Sequence, residues 1–298
     1  MSSNTVNRVL GISVHGTLGE VWPQRCDSFH DLSHLSRPWT ISNSSPRYPR
    51  TMSSLQEDIA ISPVETEQDI IDAYHCIAEA FGAQIQDALW MLTNPGWDTE
   101  SGRVRNAQHL IKQWKNTTPG KNGLANDVYL KSTVPHPEKP GERSVAGMAI
   151  WRQLSNVDGY GTHFTGDMTE ATRHLDEKKR RFALQMYRSL WRRRIAVIKE
   201  VSLPGARRDP PAIFTLEICA VDPAFQRRGI AGKLVEWGLE EAKKRGNLEC
   251  TTEGSVMGRR VYRKLGFRDE GTGDIEWDVD EEFQDWDKPP NVFLRTRA

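Results

Sequence analysis

The chain has no apolar run approaching the ~20 residues that a membrane-spanning helix requires, so no membrane partner is expected. It has no excess of charge either: 40 Lys and Arg balance 40 Asp and Glu, which leaves no overall field to recruit nucleic acid. Cysteine is scarce. The four present, Cys26, Cys76, Cys219 and Cys250, show no paired spacing, which suits a reducing compartment and predicts a cytoplasmic protein without disulfides. Eight histidines are scattered without metal-ligand spacing, so no metal is expected. Gly-x-Gly-x-x-Gly after an early strand is missing, as is Gly-Lys-Ser/Thr, and this excludes a Rossmann dinucleotide site and a P-loop.

What is present is concentrated in residues 213 to 232. The β-branched and apolar stretch Ile213 to Val221 has the length of a buried strand, and Asp222-Pro223 ends it because proline cannot donate to a ladder. A helix is predicted to start near Gln226 or Arg227. Its apolar positions Ala231, Leu234, Val235, Gly238 and Ala242 recur at helical spacing, with Lys243, Lys244 and Arg245 in the last turn and Gly246 as the stop. A helix start leaves backbone N–H groups unpartnered and carries roughly half a positive charge. Gly229 has no side chain and Ala231 only a methyl, so a pyrophosphate can approach the amides of residues 227 to 232, beside Arg227 and Arg228.

Gln226-x-x-Gly229-x-Ala231 resembles the Gln/Arg-x-x-Gly-x-Gly/Ala signature of the GNAT superfamily, the acetyl-CoA-dependent N-acyltransferases. Cys-Ala-Val-Asp-Pro precedes it, and Val261-Tyr262-Arg263-Lys264-Leu265-Gly266-Phe267 follows with the Tyr-x-x-x-Gly-Phe pattern of that family's last conserved helix. The resemblance is specific over residues 213 to 267. It implies an α/β (α+β) fold: a mixed, mostly antiparallel twisted sheet flanked by helices, spanning residues 58–298, with a helical insertion at about 155–210. It also implies acetyl-CoA as co-substrate, held by Cys219, Ala220, Val221, Gln226, Arg227, Arg228, Gly229, Ile230, Ala231, Gly232 and Ser255. Pantetheine would pair with the backbone of residues 219 to 221 like an added strand, with an N–H facing the thioester oxygen. Ser255 stands where many relatives carry an Asn.

Residues 1–51 are rich in Ser, Pro and Arg with few periodic apolar positions, and read as a disordered leader. Their sparse acids also resemble an organelle transit peptide, with Met52 as an alternative start. From Ile59 a short strand leads to Thr66, which caps a helix striped by Ile70, Tyr74, Ile77, Ala78 and Phe81 and ending before Gly82. Further helical stretches carry Ile85, Leu89 and Leu92, then Val104, Ala107, Ile111 and Trp114. Strands follow at Val128 to Val134 and Val145 to Leu154. In the family, helices between the first two strands line the acceptor pocket, which makes Trp90, Trp97 and Trp114 either pocket walls or core.

Residues 173–208 hold twelve Lys or Arg against three acids, a net of +9, and Leu184, Tyr187, Trp191, Ile195 and Ile198 place them on a long amphipathic helix. Residues 268–298 hold ten acids and four bases, a net of −6. The basic face therefore has three readings: a nucleic-acid or nuclear-import surface around Lys178 to Arg181, a rim for the cofactor's phosphates, or a partner for the acidic segment.

Acetyl transfer to an amine needs a neutral nucleophile and a protonated leaving thiolate. A lysine-like amine is neutral in only about one molecule in 2,500 at pH 7. Glu217 is the candidate base, through a water. Histone-acetylating relatives place a Glu two residues earlier, where this chain has Thr215, and strand alternation puts Thr215, Glu217, Cys219 and Val221 on one face. The other reading of Glu217 is a carboxylate paired with an Arg. Tyr262 stands where the family places a Tyr near the sulfur, as proton donor to the thiolate or as packing for pantetheine. The expected function is acetyl transfer to a primary amine of a small molecule by direct attack in a ternary complex. Alternatives are a protein-lysine acetyltransferase and a non-catalytic acyl-CoA-binding regulator.

Overall fold

In a computed structural model, which describes residues 58–206, 209–271 and 273–296, the chain forms a seven-stranded sheet. The leader assigned to residues 1–51 lies outside the described residues. Strands β1 (Ala60–Pro63), β2 (Asp127–Pro135), β3 (Arg143–Leu154), β4 (Ile213–Val221), β5 (Glu249–Gly254), β6 (Arg268–Asp269) and β7 (Val292–Arg295) run in the order β1-β2-β3-β4-β5-β7-β6. Every neighbouring pair is antiparallel except β4 and β5, which are parallel. The mostly antiparallel sheet and the bounds of β4 agree with the sequence reading.

Helices α1 (Glu67–Ile77), α2 (Ala88–Thr93), α3 (Glu100–Lys115), α4 (Thr169–Thr172), α5 (Glu177–Ser202), α6 (Ile230–Lys244) and α7 (Arg259–Lys264) cover the two faces. On one face Ile70, Tyr74 and Ile77 of α1 and Ala107 and Ile111 of α3 pack on Tyr129, Met148 and Ile150. Val197, Ile198 and Val201 of α5 continue that layer over Leu154, Ile213 and Phe293. On the other face Leu234, Val235 and Ala242 of α6 bury Leu130, Trp151, Phe214 and Leu216. Gly238 lets α6 lie flat on the Trp151 indole, because a Cβ there would stand 2.5 Å from its Nε1. Among the described residues no helix is long and apolar enough to cross a membrane.

Thr66 opens α1 with a full capping box: its hydroxyl accepts from the Asp69 amide at 3.1 Å, and the Asp69 carboxylate accepts from the Thr66 amide at 3.0 Å. Lys131 reaches the same carboxylate at 2.7 Å and ties the helix start to β2. Burial raises the Asp69 carboxyl, but Lys131 and the amides of Glu65 and Thr66 outweigh it and hold the group below its ordinary value. A depressed carboxyl contributes stability above its unfolded pKa and loses it as pH falls through the folded one. Asp69→Asn is therefore expected to cost about 1 kcal/mol near neutral pH, with the difference from the unaltered protein closing in acid; urea denaturation at two pH values checks it.

The first helix does not end before Gly82 as the pattern suggested. A π-helical turn, Ala78–Gln84, carries it on, and Gly82 sits inside that turn because the Trp97 ring covers the place of its missing Cβ. In the insertion the basic helix is α5, and the acidic segment lies along it. Lys178 pairs with Glu282 at 3.1 Å, Arg181 with Asp280 at 3.2 Å and with Glu282, and Arg192 with Asp278 at 3.6 Å. Exposed pairs of this kind contribute about 0–1 kcal/mol each. Attachment comes chiefly from Phe182 and Met186 of α5 against Val279 and Phe283.

Candidate active site

The site grows from two local facts about β4. The first is where its pairing stops: Ile213 to Leu216 pair with Glu249 to Thr252 of β5, and there the ladder ends. Beyond that point β4 stays with β3 as far as Val221, while β5 stays with β7 as far as Gly254. Each strand follows its other neighbour, so the two part and leave a fork. Residues 217 to 221 border it, which is where a strand-like ligand would add.

The second fact is a bulge. Ile218 lies opposite Ile150 and Leu216 opposite Trp151, so Glu217 is the extra residue of β4. A bulge resets the alternation. Phe214 and Leu216 lie in the α6 layer, whereas Ile218 and Ala220 lie in the α1 layer, and Cys219 and Val221 face α6. The expected common face is thus corrected: Thr215 and Glu217 share the α1 and α5 side, and Cys219 and Val221 are on the other. Thr215 is fully buried, with its hydroxyl donating to the Thr251 carbonyl at 3.2 Å and accepting from the Thr251 hydroxyl at 2.9 Å.

After β4 comes a 3-10 turn, Pro223–Phe225, opened by Asp222, whose carboxylate accepts from the Ala224 amide at 2.8 Å. Arg227 (φ +64°) and Gly229 (φ +88°) then both adopt the left-handed conformation, and α6 begins at Ile230 rather than at Gln226 or Arg227. The later start has a plain cause: two left-handed residues cannot belong to a right-handed helix. Gly229 is the N-cap and gives no side-chain acceptor, so the first-turn amides of α6 receive no cap. Ile230 is buried, while a Cβ on Gly232 would meet nothing within 4 Å. An open helix start with exposed Arg227 nearby fits an anionic ligand. Arg228 lies over the Phe225 ring and donates to the Ala224 carbonyl at 3.3 Å. The Gln226 side chain is occupied within the protein, donating to the Val221 carbonyl at 3.0 Å and to Gln84 at 2.7 Å.

On the α6 side of the fork stands Tyr262. Its ring lies against Gly254 and Gly258, and a Cβ on Gly258 would come within 2.8 Å of the hydroxyl. The Cys219 thiol and that hydroxyl influence each other's titration. Burial, followed by the charge of Cys219, pushes the phenol well above its ordinary value. Burial also pushes the Cys219 thiol up to about 12, so it is neutral and a poor nucleophile near pH 7. Ser255 accepts from the Gly258 amide at 3.3 Å and so shapes the turn into α7.

On the opposite side Glu217 belongs to a chain of charges. Its carboxylate pairs with Arg152 of β3 and lies 3.9 Å from Nη1 of Arg194. Arg152 also holds Asp127 of β2 at 2.9 Å. Arg194, almost wholly buried, grips Glu253 of β5 through Nε at 3.1 Å and through Nη2. Burial raises the Glu217 carboxyl, but the two guanidinium groups outweigh it and keep the group below its ordinary value. Burial prevails at Glu253 and Asp127, which are raised. Tyr187 of α5 donates to or accepts from Thr93 at 3.1 Å, and both Glu217 and Asp87 act on its phenol. Asp87, buried at the start of α2, accepts from the Trp90 amide at 2.9 Å and is likewise raised by burial. The Trp90 ring packs with Tyr74, Phe81 and Trp97, and Trp114 lies against the α1 layer.

Arg152, Arg194, Glu253, Asp87 and Gln84 had no place in the motif reading. Arg194 was detectable in principle, since it falls on the buried stripe of Trp191, Ile198 and Val201. An arginine on such a stripe must meet a carboxylate. Among the described residues no group of three or more His, Cys, Asp or Glu could hold a metal ion, and Cys76, Cys219 and Cys250 are free.

Residues 191–269, from the second half of α5 to β6, match the family described as "Acetyltransferase (GNAT) domain". The chain carries a GNAT acetyltransferase domain. Its fold is similar to arylalkylamine N-acetyltransferase 2 from Aedes aegypti, at 17% identity and a TM-score of 0.50, over 80% of this chain and 97% of that one. It is also similar to a mosquito arylalkylamine N-acetyltransferase like 5b, at 13% identity and 0.50, over 80% and 98%. No curated protein matches the sequence.

Proposed function

We propose that this protein transfers acetyl from acetyl-CoA to a primary amine of a small molecule by direct attack. The observation that carries the proposal is the fork between β4 and β5, which has an uncapped helix start at one end and different chemistry on its two sides. Acetyl-CoA would supply the acyl thioester. The turn at Arg227 to Gly232 would take its phosphates and the backbone of residues 219 to 221 its pantetheine. From the α6 side Tyr262, protonated throughout the neutral range, would give a proton to the departing sulfur. From the other side Glu217, kept ionised by its guanidinium neighbours, is the group to take a proton through a water. Donor and acceptor of protons would then lie on opposite faces of the sheet.

The carboxylates of Asp127, Glu217 and Glu253 gather with Arg152 and Arg194 on this side, and an acceptor that arrives as an ammonium ion would meet them there. The test is a panel of amines with purified protein and acetyl-CoA, following thiol release. Arylalkylamines come first, because the mosquito proteins of similar fold bear that name; polyamines and lysine peptides follow. Turnover of a small amine is expected. Turnover of peptides alone would make this a protein acetyltransferase, and binding without turnover would make it a regulator.

A further inference from the structure

Arg194 occupies a singular position in the fold. The last backbone pair of β4 with β5 is Leu216 with Thr252, and the next residues on the two strands are Glu217 and Glu253. These are the two carboxylates that Arg194 meets. Its Nε and Nη2 hold Glu253 side-on, and its Nη1 lies 3.9 Å from Glu217. One side chain therefore spans the strands at the point where hydrogen bonding between them gives out. Nη1 is buried and has no hydrogen-bond partner among the described residues, so this clamp retains one unused donor at the fork.

The clamp comes from outside the sheet. Arg194 is delivered by α5, whose Val197, Ile198 and Val201 are buried against Leu154, Ile213 and Phe293. Its guanidinium lies 5.7 Å from the Phe164 ring and 5.7 Å from the Trp191 ring, which meet edge to face beside it. A group packed in this manner has little freedom to let go.

We infer that Arg194 is a positioning residue for acetyl transfer: by bridging Glu217 and Glu253 across the parted strands it holds the Glu217 carboxylate at the fork, toward the acceptor side. The inference rests on the acetyltransferase reading above. The groups facing Glu217 are Asp127 and Tyr129 from β2, Arg152 from β3, Tyr187 and Arg194 from α5 and Glu253 from β5. Only the two arginines favour its charged form. Arg152 is shared with Asp127, so removal of Arg194 leaves Glu217 with a divided counter-charge in a desolvated place.

The test uses Arg194→Gln and Arg194→Lys in the full chain. Carbon-detected NMR titration of the Glu217 carboxyl in protein without ligand is expected to show the midpoint rising in Arg194→Gln by about one to three pH units. The acid limb of kcat, measured at saturating acetyl-CoA with an amine the protein turns over, is expected to rise with it. Arg194→Lys should recover most of the pH position and less of the rate, since an ammonium supplies charge without the two-pronged grip. A kcat profile that stays in place while the Glu217 midpoint moves overturns the inference, as does a midpoint that does not move. If Arg194→Gln fails to fold, Arg194→Lys decides: a rate equal to that of the unaltered protein refutes a positioning role. If the unaltered protein turns over no amine, the reading of its function fails alone, and the titration still reports whether Arg194 holds Glu217.

Discussion

Gly232→Glu is expected to weaken acetyl-CoA binding about 100-fold or more, a loss of ~2.7 kcal/mol, without loss of the fold. Gly232 is the third residue of α6, and its missing Cβ faces open space. A Cβ there displaces no atom of the protein within 4 Å. Glu also replaces the poorest non-proline helix former, a change favourable by up to ~1 kcal/mol, and its charge suits a helix N-terminus. Stability should therefore hold or rise. For a phosphate ligand the same charge is repulsive and occupies the approach to the first-turn amides. Gly229→Glu would be harder to interpret, because at φ +88° any side chain strains the backbone. Calorimetric titration of acetyl-CoA together with a thermal melt separates the two effects, and unchanged affinity would remove the phosphates from this turn.

The second large effect is expected from Tyr262→Phe: kcat lower by about 10² to 10⁴ with acetyl-CoA affinity little changed. Only the hydroxyl is lost, and the ring keeps its place against Gly254 and Gly258. Because the phenol lies well above its ordinary value, Tyr262 stays protonated through neutral pH and should produce no alkaline limb in the rate there. A rate in the variant equal to that of the unaltered protein would assign Tyr262 to packing.

The strand from Ile213 to Val221, the arrest at Asp222-Pro223 and the helix stripe of Leu234, Val235, Gly238 and Ala242 were all legible in one contiguous segment. The start of α6 was misplaced because Arg227 has an ordinary helix-forming side chain, and nothing in its identity announces a left-handed backbone. The π-helical turn at Gly82 escaped for a related reason: the Trp97 ring that leaves room only for a glycine there arrives from a later loop. Glu217 was legible as either a base or an arginine's partner. Both of its guanidinium neighbours lie on other elements, β3 and α5.

Local chemistry was enough to define the glycine-bearing turn after β4 and the order of strands and helices, because glycine, proline and apolar periodicity act through the backbone of their own segment. The face on which Glu217 stands came from pairing with β3, since a bulge exists only relative to a partner strand. The fork came from two strands each following a different neighbour, and its bridge from a buried arginine on a helix inserted between β3 and β4. Burial and charge pairing act through space, and it is the folded chain that sets those distances.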